Sequence, residues 1–130
     1  MSQENVEIVR RAYDALSRRD FDTFSGLHDL HVELTPLRPE GATYTGHDGV
    51  RKYWDELFDV FPDFNVEVDD IREVGDLILI TARISGHGMG SDVPIEQPIW
   101  QLGELRAGRI LWWRSFPSKS EALEAAGLRE

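Results

Sequence analysis

From Phe64 to Phe116 the apolar residues keep strand spacing, interrupted only by turn signals, and this half of the chain limits most strongly what the whole can fold into. The segments Phe64–Val74, Leu77–Gly88, Ile95–Leu105 and Arg109–Phe116 are separated by Gly75-Asp76, a glycine-rich stretch and a turn at Gly108. Connections this short join neighbouring strands as hairpins, so an antiparallel meander is expected. Within it, Leu77 and Leu79 lie on one side of their strand while Ile78, Ile80, Ala82 and Ile84 lie on the other, so both faces need cover. Helices of so short a chain are expected to cover one face. The other is then expected to pack on a second copy, which predicts a homodimer through the sheet. Adjacent Trp112 and Trp113 should point to opposite faces, with either one turned inward.

The first half is helical. Val6, Val9, Tyr13 and Leu16 recur at helical spacing behind Ser2, and Asp20 offers a cap for a short second helix carrying Phe21, Phe24 and Leu27. A short strand, Val32–Leu37, ends near Pro36. After Gly46-His47-Asp48-Gly49, the residues Val50, Tyr53, Trp54, Leu57, Phe58 and Phe61 form an aromatic stripe on one helical face, stopped at Pro62. Ser118 to Glu121 has the form of a capping box and predicts a short closing helix. The fold class is therefore α+β: a curved, cone-shaped antiparallel sheet closed by three N-terminal helices, with a short C-terminal helix. A length of 130 residues suits one domain spanning 1–130.

A formal charge of −10 opposes binding to a polyphosphate backbone, so no nucleic acid is expected as partner. The absence of Cys removes thiol chemistry and Cys-based metal sites. His28 and His31 stand one helical turn apart and are read as solvated residues at a helix end, without a third metal ligand at clear spacing; no metal or cofactor is expected. The apolar runs are too short to span a bilayer, and the cytoplasm is the default address.

Three segments carry a family resemblance: Tyr13-Asp14-Ala15-Leu16 leading to Asp20, the turn Gly46 to Val50 into the aromatic helix, and Gly108-Arg109-Ile110 leading to Trp113-Arg114-Ser115-Phe116. Together with the order of elements, they resemble the cone-shaped superfamily of nuclear transport factor two, ketosteroid isomerases, SnoaL-like cyclases and limonene-epoxide hydrolases, the last two most of all. The resemblance implies a small-molecule pocket inside the cone. It also implies catalytic positions that this sequence does not fill. Where limonene-epoxide hydrolases carry Arg and Asp on a central strand, and Asp after Trp-Arg, this chain reads Arg83-Ile84-Ser85 and Trp113-Arg114-Ser115. Ketosteroid isomerase carboxylates would fall at Thr35 and Trp100, and no Asp follows Asp92, where SnoaL-like cyclases need one.

The expected function is a SnoaL-like domain that binds a small, mostly apolar molecule, with isomerase- or cyclase-type proton transfer as its catalytic form. The alternative is a partner-binding module whose cone is filled. Tyr13, Phe24, Tyr53, Trp54, Phe58, Trp100 and Trp113 are expected as walls, and Arg83, Ser85 and Ser115 as orienting groups. His87 shares the face of Ser85 and, with Glu33, is the candidate base; a loop shoulder for His87 and a structural ion pair for Arg83 are the alternatives.

Overall fold

The computed structural model describes residues 2–37, 42–88 and 94–127. Helix α1 spans Ser2–Ser17 and α2 Phe21–Gly26; strands β1 (His28–Thr35) and β2 (Tyr44–Thr45) lead into α3 (Gly46–Val60). The meander follows as β3 (Asn65–Val74), β4 (Leu77–His87), β5 (Pro94–Arg106) and β6 (Arg109–Phe116), and α4 (Lys119–Ala125) closes the chain. The cap expected of Ser2, and Met89 and Gly90 of the glycine-rich stretch, lie outside the described side chains and residues.

The six strands form one curved, unclosed sheet in the order β2-β1-β6-β5-β4-β3. The hairpin-linked strands pair antiparallel as their short turns require. One pairing departs from the expected pattern, because β1 lies parallel to β6. The connection between them is the rest of the domain, long enough for either direction. The first strand also begins earlier than Val32: α2 stops at Gly26, and Leu27 O accepts a hydrogen bond from Ile110 N at 2.9 Å, which draws the chain into the sheet from His28 onward. His28 and His31 are therefore strand residues.

Two one-residue bulges help to bend the sheet. Asp69 is extra in β3 between the pairs Val68↔Ala82 and Asp70↔Thr81, and Leu111 is extra in β6 between Trp112↔Glu104 and Ile110↔Leu105. Pro94 and Pro98 sit on the part of β5 that pairs only with β4, where a missing N–H is tolerated.

Helices α1, α2 and α3 cover the concave face. From α1 come Val9, Ala12, Ala15 and Leu16, and from α3 come Val50 and Trp54, packed on Ile71, Ile78, Ile80, Ala82 and Ile99. The cap at Asp20 is present, its carboxylate accepting from Thr23 N at 3.2 Å and from Thr23 Oγ1 at 2.7 Å. Arg19 ties these helices together: its guanidinium donates to Leu16 O at 3.2 Å and Phe64 O at 2.9 Å while lying 3.6 Å above the Phe58 ring.

The convex face is partly covered by this chain itself, which corrects the expectation that helices occupy one side only. Ala122, Leu123 and Ala126 pack with Leu79, Leu102, Phe116, Trp100 and Trp112 into a second, smaller core. The cap that starts α4 is the expected one, Ser118 Oγ accepting from Glu121 N at 3.2 Å. Of the two adjacent tryptophans, Trp113 faces the concave core and Trp112 the convex one. Gly103 makes room for this arrangement, since a Cβ there would stand 3.2 Å from Trp112 O and 3.6 Å from the Trp113 ring.

Candidate functional site

Between the helices and the concave face lies a cavity of about 340 Å³. Alternation decides which strand residues reach it. On β4 the inward set runs through Ile80, Ala82 and Ile84, on β5 through Ile95, Gln97, Ile99 and Gln101, and on β6 through Trp113 and Ser115. Ala12, Tyr13 and Leu16 of α1, Phe24 of α2, and Tyr53, Trp54, Leu57 and Phe61 near α3 close the opposite side. Leu34, Pro36 and Leu37 complete one wall and Phe64 and Val66 another. Tyr13 meets Trp113 edge to face at 5.6 Å, and Phe24 meets Trp54 in the same way at 6.3 Å.

Polar groups in this lining are few, and three of them are tied to one another. Tyr13 Oη donates to Gln101 Oε1, and Gln101 Nε2 donates to Ser115 Oγ at 3.0 Å. Burial pushes the Tyr13 phenol above its ordinary pKa, so it stays neutral through the physiological range. Among the described lining residues there is no Asp, Glu, Lys, Arg or His. The buried Trp54 Nε1–H has no acceptor among the described residues.

Behind this lining, His28 supports the wall. It is 2% exposed, its Nδ1–H donates to Phe24 O at 2.6 Å, and its Nε2 accepts from Trp113 Nε1–H at 2.8 Å. Those two bonds select the neutral Nδ1–H tautomer, because an imidazolium has no lone pair to offer Trp113. Burial is the main cause that lowers its pKa from 6.5 to about 4; nearby His47 lowers it further, while the bond to Phe24 O opposes both.

Tyr13, Phe24, Tyr53, Trp54, Trp113 and Ser115 thus stand around the cavity as the sequence predicts. Phe58 does not reach it: the ring stacks behind Trp54 at 5.8 Å, under the Arg19 guanidinium. Trp100 belongs to the convex core. Arg83 points away from the cavity because Ala82 and Ile84 on either side take the inward positions. Its guanidinium is bidentate to Asp69 at 3.1 and 3.2 Å and lies 3.7 Å from Glu67. The hydrogen bond from Arg83 holds the Asp69 carboxyl below the usual carboxylate range. Ser85 and His87 share that outward parity, and neither lines the cavity. His87 pairs with Asp63, Nδ1 to Oδ2 at 2.8 Å and backbone N to Oδ1 at 2.8 Å, so the shoulder position describes it better than a base within the cone. Glu33 is exposed and borders a convex-face groove with Trp112 and Arg114. Neither candidate base lines the cavity.

Gln97 and Gln101 are not among the residues the sequence points to, and their only signal is a parity shared with Ile95, Ile99 and Gly103. His28 was marked but misplaced, and a buried strand position for it had no local sign.

The sequence profile of the SnoaL-like domain matches residues 9–113. The chain belongs to the SnoaL-like domain family. No curated protein sequence gives a significant match. Among solved structures, a Catenulispora acidiphila protein of ketosteroid isomerase-like fold, in complex with trimethylamine, is 23% identical over 94% of this chain and 93% of its own, with a TM-score of 0.77. A putative SnoaL-like polyketide cyclase from Jannaschia is 22% identical over 97% of this chain and 92% of its own, with a TM-score of 0.78. TerC, co-crystallized with polyporic acid, is 16% identical over 93% and 96%, with a TM-score of 0.77. Likenesses at these identities establish the cone-shaped fold of this SnoaL-like domain. No helix of the described residues is long and apolar enough to cross a membrane.

Proposed function

We propose that this SnoaL-like domain binds a small, mostly apolar molecule inside its cone. The observation that carries the proposal is the cavity of about 340 Å³, walled mostly by aromatic and aliphatic side chains, with one hydrogen-bonded polar cluster and the Gln97 amide among them. Its volume falls within the range of roughly 300–1,000 Å³ found for small-molecule sites. A filled cone would leave no such space. That two fold neighbours were obtained with small organic molecules is in keeping with this role. Binding is favoured over isomerase- or cyclase-type proton transfer, since general-base catalysis needs a base within hydrogen-bond reach of the substrate and both candidates lie elsewhere.

Trp54 and Trp113 line the site, so their emission is the readout. Titration with a panel of uncharged bicyclic compounds should shift tryptophan emission saturably and raise the melting temperature. A panel that leaves both unchanged contradicts the proposal.

Self-association through the convex face belongs to the same proposal. Trp100 and Trp112 remain only half-buried beside α4, next to a groove lined by Leu77, Leu102 and Phe116. Sedimentation at micromolar concentration should give a dimer, and the substitution Trp112→Glu should give a monomer. A parent protein that sediments as a monomer overturns this part.

A further inference from the structure

The polar cluster in the cavity has a property that narrows the ligand class. Tyr13, Gln101 and Ser115 form a linear chain of hydroxyl, amide and hydroxyl. With Tyr13 donating to Gln101 Oε1 and Gln101 Nε2 donating to Ser115 Oγ, the Ser115 hydroxyl hydrogen is unspent among the described residues. Turning the amide round reverses the chain: Ser115 donates to the amide oxygen, the amide N–H goes to Tyr13, and the phenol hydrogen is the one left over. In either orientation one hydroxyl proton remains available. Each oxygen of the chain already takes part in one bond, whereas a hydroxyl hydrogen and the second amide N–H take part in none among the described residues, so what the cluster has in surplus is chiefly donor capacity. No cation or carboxylate lines the cavity with it among the described residues.

We infer that the ligand is an uncharged molecule whose single polar group is a hydrogen-bond acceptor, such as a ketone, lactone or ester oxygen, docked on the Tyr13–Gln101–Ser115 chain. The inference rests on the proposed binding role and adds the chemistry of selection to it. An acceptor oxygen takes up the spare hydroxyl proton. A carboxylate would have to shed its water into a lining without any cation, a desolvation that hydroxyl and amide donors of this kind repay poorly. A hydrocarbon offers no acceptor oxygen and leaves the spare donor unpaired.

Three molecules of nearly equal size that differ at one position provide the test: 1-tetralone, tetralin and tetralin-1-carboxylate, titrated by calorimetry at pH 7.5. The native protein should bind the ketone about five- to tenfold more tightly than tetralin, the difference one hydrogen bond makes. The carboxylate should bind about a hundredfold more weakly than the ketone. In Gln101→Leu, which dissolves the chain while keeping the position filled, the ketone and tetralin should bind within about threefold of each other. Ser115→Ala, a milder change in packing, should narrow the same ratio if Gln101→Leu proves unstable. Equal or tighter binding of tetralin or the carboxylate in the native protein overturns the ligand class but leaves the binding role intact. An unaltered ketone preference in both variants does the same. Silence from all three compounds overturns the binding role and the ligand class with it.

Discussion

Lowering the pH from 7 to 4 should remove about 3 kcal/mol of folding stability through His28 alone, which the folded protein holds neutral down to about pH 4. Above pH 6.5 the imidazole is neutral in the folded and unfolded chains alike, and its contribution is complete. As the pH falls below 6.5 the unfolded chain takes up a proton that the folded one refuses, so the native state loses ground steadily. The loss levels off near pH 4, where the folded imidazole also protonates and gives up the lone pair that accepts from Trp113. Asp20, Asp63 and Asp69 have lowered pKa values, so their contribution is lost in a separate, more acid window. Urea denaturation at half-unit pH steps, on the parent and on His28→Gln, isolates the imidazole. The parent should show the decline between pH 6.5 and 4, and the variant, less stable at pH 7, should be nearly flat there. Equal slopes would remove His28 as the cause.

Trp113 should prove the costliest single side chain to remove. It is 5% exposed, meets Tyr13 edge to face, holds His28 by its indole N–H and walls the cavity, all from one position on β6. Trp113→Ala should cost about 3–5 kcal/mol, the range for large aromatic side chains removed from a core. Trp113→Phe keeps most of the packing and leaves His28 Nε2 buried without a donor, at a cost of about 1–3 kcal/mol. The phenylalanine variant should also lose less stability on acidification than the parent does, because the lone pair on Nε2 is no longer engaged and protonation forfeits less. Denaturation midpoints at pH 7.5 and 5 measure both effects. A phenylalanine variant as stable as the parent at both values would mean that the indole–imidazole bond contributes nothing.

These two residues also show where the sequence was readable. Elements that rest on local periodicity were legible: the aromatic stripe of α3, the meander with its turns, the Asp20 and Ser118 caps and the cone-shaped fold. Pairing between distant segments was not, and the parallel contact of β1 with β6 has no local sign. That contact is what buries His28 beside Trp113 and makes a strand of residues that look like a helix end.

The walls were legible where aromatic residues stand on helices whose faces the periodicity defines, as at Tyr13, Tyr53 and Trp54. On β4 both faces are apolar, so alternation alone could not say which pointed inward, and Arg83, Ser85 and His87 were assigned to the wrong one. Trp100 is expected among the walls. The sheet packs it beneath α4, and its neighbour Gln101, an amide that reads as a solvent-facing residue, occupies the cavity instead. Polar residues inside an apolar lining are the hardest to see from sequence, because nothing local distinguishes them from surface ones.

The central claim is that the cone holds a ligand in this cavity, and calorimetric titration of 1-tetralone into the parent and into Ile84→Trp tests it most directly. Ile84 lines the cavity from β4, so an indole at that position occupies the space a ligand would take. The parent should bind one ketone per chain with a negative heat-capacity change, as burial of apolar surface requires, and the folded variant should bind none. Binding of equal strength in both proteins would place the ligand elsewhere and contradict the account.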